Sequence, residues 1–177
     1  MPMNILSESN YNNLICKIRK TFQDLKKQET KPITIPTQSP IRSSLVNWLQ
    51  FLCKSLNFSE QTLLRAVILL DKYSEKCQIN CLNQQQLNLL AIACLSLSTK
   101  LEETNCNYVQ FFTEKVLNTP DMQIFTVKDL TKMELNILKK LNFKTLYSTA
   151  IEFGELYVKI FNNIKFKHRY MPKYESK

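Results

Sequence analysis

An all-α fold is the class this sequence predicts, and three observations carry the prediction. Apolar residues recur at three- and four-residue spacing along nearly the whole chain. No segment alternates polar and apolar residues as a half-buried strand does. Glycine, the usual residue of tight turns between strands, occurs once, at Gly154. A length of 177 residues suits one domain, or one domain with a tail, and 44% apolar against 22% charged side chains is a globular composition.

The elements follow in order. Tyr11, Leu14, Ile15, Ile18, Phe22 and Leu25 form one apolar stripe, with Lys17, Arg19, Lys20 and Lys26 off it, which predicts an amphipathic N-terminal helix. Pro32, Pro36 and Pro40 then forbid a helix until the end of TKPITIPTQSP, so this stretch reads as a linker. Ser39 as N-cap and Pro40 at the first helical position open a helix that carries Ile41, Leu45, Trp48, Leu49 and Leu52 on one face. Ser59 can cap the next, through Leu63, Val67 and Leu70 towards Tyr73. From Leu87 to Glu103 the chain is apolar on nearly every side before it ends in Lys100, Glu102 and Glu103, so a helix here belongs at the domain centre with its charged end at the surface.

Asn83 and Gln86 can form a capping box for that core helix, and Thr126 with Asp129 can do the same for the helix holding Glu134. Between them, Val109, Phe112 and Val116 predict a shorter amphipathic helix over Asn107–Leu117. A last, short helix begins near Thr149 with Ile151, Phe153, Leu156 and Ile160, and a basic aromatic tail follows. The expected organisation is an N-terminal helix and linker over residues 1–38, a five-helix domain over 39–143, and an additional helix with its tail over 144–177.

Composition excludes several function classes. No stretch is apolar and long enough to cross a bilayer, and MPMNILSESNYNN lacks a basic region followed by an apolar core, so a soluble intracellular protein of the nucleus or cytoplasm is expected, with no membrane partner. Cys16, Cys53, Cys77, Cys81, Cys94 and Cys106 include no CxxC pair, and His168 is the lone histidine, so reduced structural thiols are expected and no metal site. One glycine cannot build a phosphate-cradling loop, so no nucleotide cofactor is expected. Neither a nucleophile with its base nor any other catalytic constellation is present, which reads as a protein that is no enzyme. The net charge of +9 resides in the ends: six Lys/Arg against three acids in residues 1–31, six against one in 159–177, and twelve against eleven between. That pattern describes solvated termini better than a nucleic-acid reader.

The segments IRSSLVNW, LLDKY, LNLLAIACLSLSTKLEE and KMELNILKKLNF, taken in order on these helices, resemble the cyclin box. IRSSLVNW keeps Arg42, Leu45 and Trp48 of the box's opening signature; Asp71, Leu89, Lys100 and Glu134 fill the later signature positions. The resemblance implies a five-helix box that binds a cyclin-dependent protein kinase and performs no chemistry itself. It implies that Lys100 and Glu134 hydrogen-bond the kinase backbone beside its movable C-helix, in a groove lined by Leu97, Leu101 and Leu138. Arg42 and Asp71 resemble the family's buried ion pair joining the first two helices. Ile41, Leu45 and Trp48 correspond to part of a patch by which some cyclins hold substrate peptides, although Ser44 replaces an apolar member and core packing suits Leu45 better. Asn47 stands for the family's aspartate, and Leu101 for a frequent aromatic. CLSL before Lys100 looks faintly like D-type cyclins, and TLYSTAIEFGELY looks like the opening helix of a second repeat that is absent or truncated here. The alternative reading is a cyclin-fold scaffold in a transcription or nucleic-acid complex.

Overall fold

Twelve of the nineteen residues of the helix Gln84–Glu102 are buried, and three other helices pack around it. The structure is a computed structural model that describes residues 8–28, 40–77, 79–103, 113–118 and 124–170. Every regular element among them is helical: α1 (Glu8–Gln28), α2 (Pro40–Ser55), α3 (Glu60–Lys76), α4 (Gln84–Glu102), α5 (Val127–Lys140) and α6 (Ala150–Tyr170), with a 3₁₀ turn at Ile79–Cys81 and a π-helical turn at Thr113–Leu117. Among these residues no helix is long and apolar enough to cross a membrane.

The described residues fall into two compact units, one within Met1–Glu29 and Ser148–Lys177, the other within Thr30–Tyr147. In the larger unit, α4 lies against α2, α3 and α5. Leu90, Ile92 and Leu95 of α4 are fully enclosed, together with Leu49, Leu69, Leu70 and Ile137 from its neighbours. Each such side chain contributes roughly 1.5–3 kcal/mol by leaving water, so this cluster rather than helix propensity holds the fold together.

The helix starts follow the local chemistry. Ser59 Oγ accepts from the Thr62 backbone N–H at 3.2 Å and caps α3. Asn83 and Gln86 close the capping box of α4 in both directions, at 2.8 and 3.1 Å, and Thr126 with Asp129 do so for α5. The helix ends use asparagine. Asn57 and Asn142 take φ of 56° and 53°, the left-handed conformation that asparagine tolerates, and the next residues, Phe58 and Phe143, donate back to the carbonyls of Cys53 and Leu138 at 2.9 and 2.7 Å.

In the smaller unit, Ile18 of the α1 stripe is 8% exposed and Leu14, Ile15, Phe22 and Leu25 are half-buried, while Lys17, Arg19, Lys20 and Lys26 lie in solvent. Phe22 meets Phe153 and Tyr157 of α6 edge to face at 6.3 and 6.4 Å. Ser148 Oγ donates to the Leu25 carbonyl at 2.7 Å, and Thr149 with Glu152 caps α6 reciprocally.

Two expectations need correction. The last helix is not short: α6 runs for 21 residues, because Gly154 sits on its exposed side and the next breaker in the sequence is Pro172. The helix expected over Asn107–Leu117 is, in its described part, a π-helical turn. The wider turn brings the consecutive residues Val116 and Leu117 into the core together, 1% and 4% exposed. Val109, Phe112, Ser39, Pro32, Pro36, Cys106 and the side chains of Tyr11 and His168 lie outside the described residues.

Candidate functional site

Two needs meet at the α4–α5 junction: apolar faces that must be covered, and a carboxylate that must not be left bare. Glu134 of α5 is only 7% exposed, and a buried carboxylate demands partners. It has them. Lys100 Nζ donates to Glu134 Oε1 and Oε2 at 2.6 and 2.7 Å, and Ser96 Oγ donates to Oε1 at 2.5 Å. Ser96 and Lys100 stand four residues apart on α4, so both point along one face towards α5.

The two ends of this cluster differ in hydration. The Lys100 side chain is 39% exposed and that of Glu134 only 9%, so the amine sits at the rim and the carboxylate behind it. An ammonium has three N–H donors and a carboxylate about four acceptor positions. The contacts above leave at least one of each for an outside partner. Around the pair, Leu97 is 8% exposed, Leu138 is half-buried and Leu101 is 42% exposed. Where α5 ends, Phe143 is 64% exposed with φ of 58°, a backbone state that costs a bulky residue about 1–3 kcal/mol. The site is thus a donor and an acceptor at the edge of an incompletely covered apolar surface.

The structure brings Arg42 and Asp71 together at the α2–α3 junction. Arg42 Nε and Nη2 donate to Asp71 Oδ1 and Oδ2 at 2.7 and 2.8 Å, a two-pronged pair. Their side chains are 23% and 7% exposed. Hydrogen bonding to Asp71 holds the guanidinium above its ordinary pKa against the opposing effect of burial. Leu45 is 3% exposed and belongs to the core, and Ile41 and Trp48 are half-buried against it. Leu45 therefore offers no surface to a peptide, as the loss of an apolar residue at Ser44 already suggests.

Some of the machinery escapes a sequence reading. Ser96 was hidden in an apolar run; its signal is a hydroxyl one helical turn before Lys100. Ser98 and Thr99, by contrast, donate to the α4 carbonyls of Cys94 and Ser96. The double carboxylate after Lys100 does not face outward. Glu102 accepts from Arg65 Nε, and Arg65 Nη1 also donates to the Tyr147 carbonyl at 3.1 Å. Glu103 accepts from the Ser59 backbone N–H at 2.9 Å and from Thr62 Oγ1 at 2.5 Å. Burial alone would raise the Glu103 pKa, but these bonds outweigh it and hold the carboxyl below its usual range. The end of α4 is thereby tied to the start of α3.

The two buried thiols, Cys53 and Cys94, belong to the core. Burial, with help from Glu103, pushes Cys53 up to about 11, and burial with Asp71 pushes Cys94 up as well; thiols raised in this way are poor nucleophiles. Among the described residues, no group of three His, Cys, Asp or Glu could hold a metal ion.

Known proteins resemble this chain in sequence. The family described as Cyclin, N-terminal domain, matches residues 9–146. The chain is 32% identical to a rice protein named putative cyclin-F3-1, over 64% of this chain and 27% of the relative. It is 32% identical to cyclin-A1-2 of Arabidopsis thaliana, over 64% and 25%, and 29% identical to G2/mitotic-specific cyclin C13-1 of Daucus carota, over 71% and 33%. Cyclin-D4-2 of Arabidopsis thaliana is 30% identical over 59% and 34%, so the likeness spans several named types and selects none. The chain spans between 25% and 34% of the length of these relatives. The family match encloses Arg42, Asp71, Lys100 and Glu134 on the helices described above, and the chain belongs to the cyclin family.

Proposed function

We propose that this chain is a non-catalytic regulatory subunit that binds a cyclin-dependent protein kinase through the α4–α5 surface and activates it. The observation that carries the reading is the Lys100–Glu134 pair: fixed by Ser96, set at the edge of Leu97, Leu101 and Leu138, and retaining hydrogen-bonding capacity outward. Lys100 donates to a kinase backbone carbonyl and Glu134 accepts from a backbone N–H beside the C-helix. Burial of Leu101, and of Phe143 at the end of α5, supplies affinity while the polar pair sets register. A kinase C-helix held inward completes the catalytic Lys–Glu ion pair of the kinase, and binding shifts the kinase towards that state by its greater affinity for it. The complex works inside the cell, in the nucleus or cytoplasm.

The test is reconstitution with a purified cyclin-dependent kinase that is inactive alone. Phosphorylation of a protein substrate rises on adding this chain and fails to rise with Lys100→Ala. A chain that binds no such kinase but binds DNA or RNA with steep salt dependence supports the scaffold reading instead.

A further inference from the structure

Only one flank of α5 belongs to the site above. On the other, Asp129, Lys132, Met133 and Asn136 recur at helical spacing and, with Leu89 of α4, line an open cavity of about 340 Å³. Leu89 precedes Lys100 by eleven residues on the same helix, which puts the cavity about 16 Å away along the α4 axis.

The cavity has an apolar floor, its rim carries Asp129 and Lys132, whose charges act on each other, and further lysines of α5 lie beyond it. Leu89 is 8% exposed, and Met133 is half-buried against the core. Asn136 is anchored, its Nδ2 donating to the Tyr73 hydroxyl at 2.9 Å. Asp129 is engaged by the cap, accepting from the Thr126 backbone N–H and hydroxyl at 2.9 and 2.7 Å. The other acid of α5, Glu134, is paired with Lys100. Lys128, Lys132 and Lys139 therefore form an exposed basic stripe along the outer face of α5, interrupted by Leu135 at 43% exposure.

We propose that this cavity is a second docking site, for an acidic segment of a partner protein. A single bulky apolar side chain enters between Leu89 and Met133, and flanking carboxylates meet Lys128 and Lys132. The apolar anchor supplies affinity, and the lysines supply orientation and the speed of encounter. A nucleic acid is the competing polyanion, but the floor offers no aromatic platform for a base, and Asp129 would face its phosphates.

The probe is a labelled peptide with a central leucine flanked by carboxylate residues, titrated against the full chain and followed by anisotropy and by methionine-methyl NMR. Binding saturates, weakens as salt rises, shifts the Met133 methyl signal and is lost when the peptide leucine becomes serine. Lys132→Glu weakens it roughly fivefold or more, and Lys128→Glu acts in the same direction. Lys100→Ala leaves peptide binding unchanged, and Lys132→Glu leaves kinase assembly unchanged, so this proposal and the kinase reading fail separately. The proposal is overturned if the serine peptide binds equally, if Lys132→Glu has no effect, or if an oligonucleotide outcompetes the peptide at the same residues.

Discussion

The α2–α3 and α4–α5 junctions each hold a nearly buried carboxylate against a basic side chain, Asp71 with Arg42 and Glu134 with Lys100, at 2.6–2.8 Å. They differ in what surrounds the cation. Arg42 is 23% exposed, and its guanidinium is fixed by two parallel bonds to Asp71. Lys100 is 39% exposed, keeps donor capacity, and stands beside the exposed Leu101. The same pairing chemistry thus closes one junction, and in the other it leaves the cation at the surface, where we propose the kinase contact. Neither the charges nor their spacing distinguishes the two pairs; the greater hydration of the cation and its exposed apolar neighbour do.

Arg42→Ala is the most damaging single change at the two junctions. Removing the partner leaves Asp71 buried and unpaired, at a cost of about 3 kcal/mol, the low end of the range for a broken buried pair because Arg42 is partly hydrated. The melting temperature falls accordingly, and kinase binding falls only in step with unfolding. Lys100→Ala costs less stability, about 1–2 kcal/mol, since Lys100 is more hydrated and Ser96 still serves Glu134. Thermal denaturation of the two variants side by side checks the ranking, and equal losses would contradict the contrast drawn between the junctions.

A smaller effect comes from Glu103, which ties α4 to α3. Its carboxyl is held below its ordinary value of 4.5 in the fold. The stabilisation is therefore fully present above that value and is lost as pH falls through the lower folded value. Melting temperature measured across the acid range shows this loss, and Glu103→Gln flattens its slope while leaving the neutral-pH binding surface unaltered. The smallest expected change is favourable and lies outside both junctions. A Cβ at Gly154 meets nothing within 4 Å, so Gly154→Ala raises stability by about 0.5–1 kcal/mol through helix propensity alone. A lowered melting temperature for this variant would contradict that account.

Much of this was legible in the sequence because the controlling signals are local. Asn83 with Gln86, Thr126 with Asp129, and Ser59 mark helix starts that the structure places within a residue of the expected positions. The apolar run from Leu87 identified the central helix, since an all-round apolar surface has no other stable location. What escaped depends on contacts between distant segments. Nothing near Ser96 says that its hydroxyl meets Glu134 rather than its own backbone, and nothing near Glu103 says that it caps a helix begun by Ser59. The π-helical turn at Thr113–Leu117 escaped for the same reason: both Val116 and Leu117 are drawn to a core that other helices build. The length of α6 was underread because a lone glycine on an exposed face weakens a helix without ending it.

The central claim is that Lys100 and Glu134 act together as an outward-facing contact, and a double-mutant cycle on kinase binding tests it most directly. The affinity of Lys100→Ala, of Glu134→Ala and of the double variant is measured against the parent chain, with helical content followed in each. The account predicts that each single change sharply weakens the complex, that helical content persists, and that the double variant loses clearly less than the sum of the two, because the pair shares one docked element. A double variant that binds and activates the kinase as the parent chain does would contradict it.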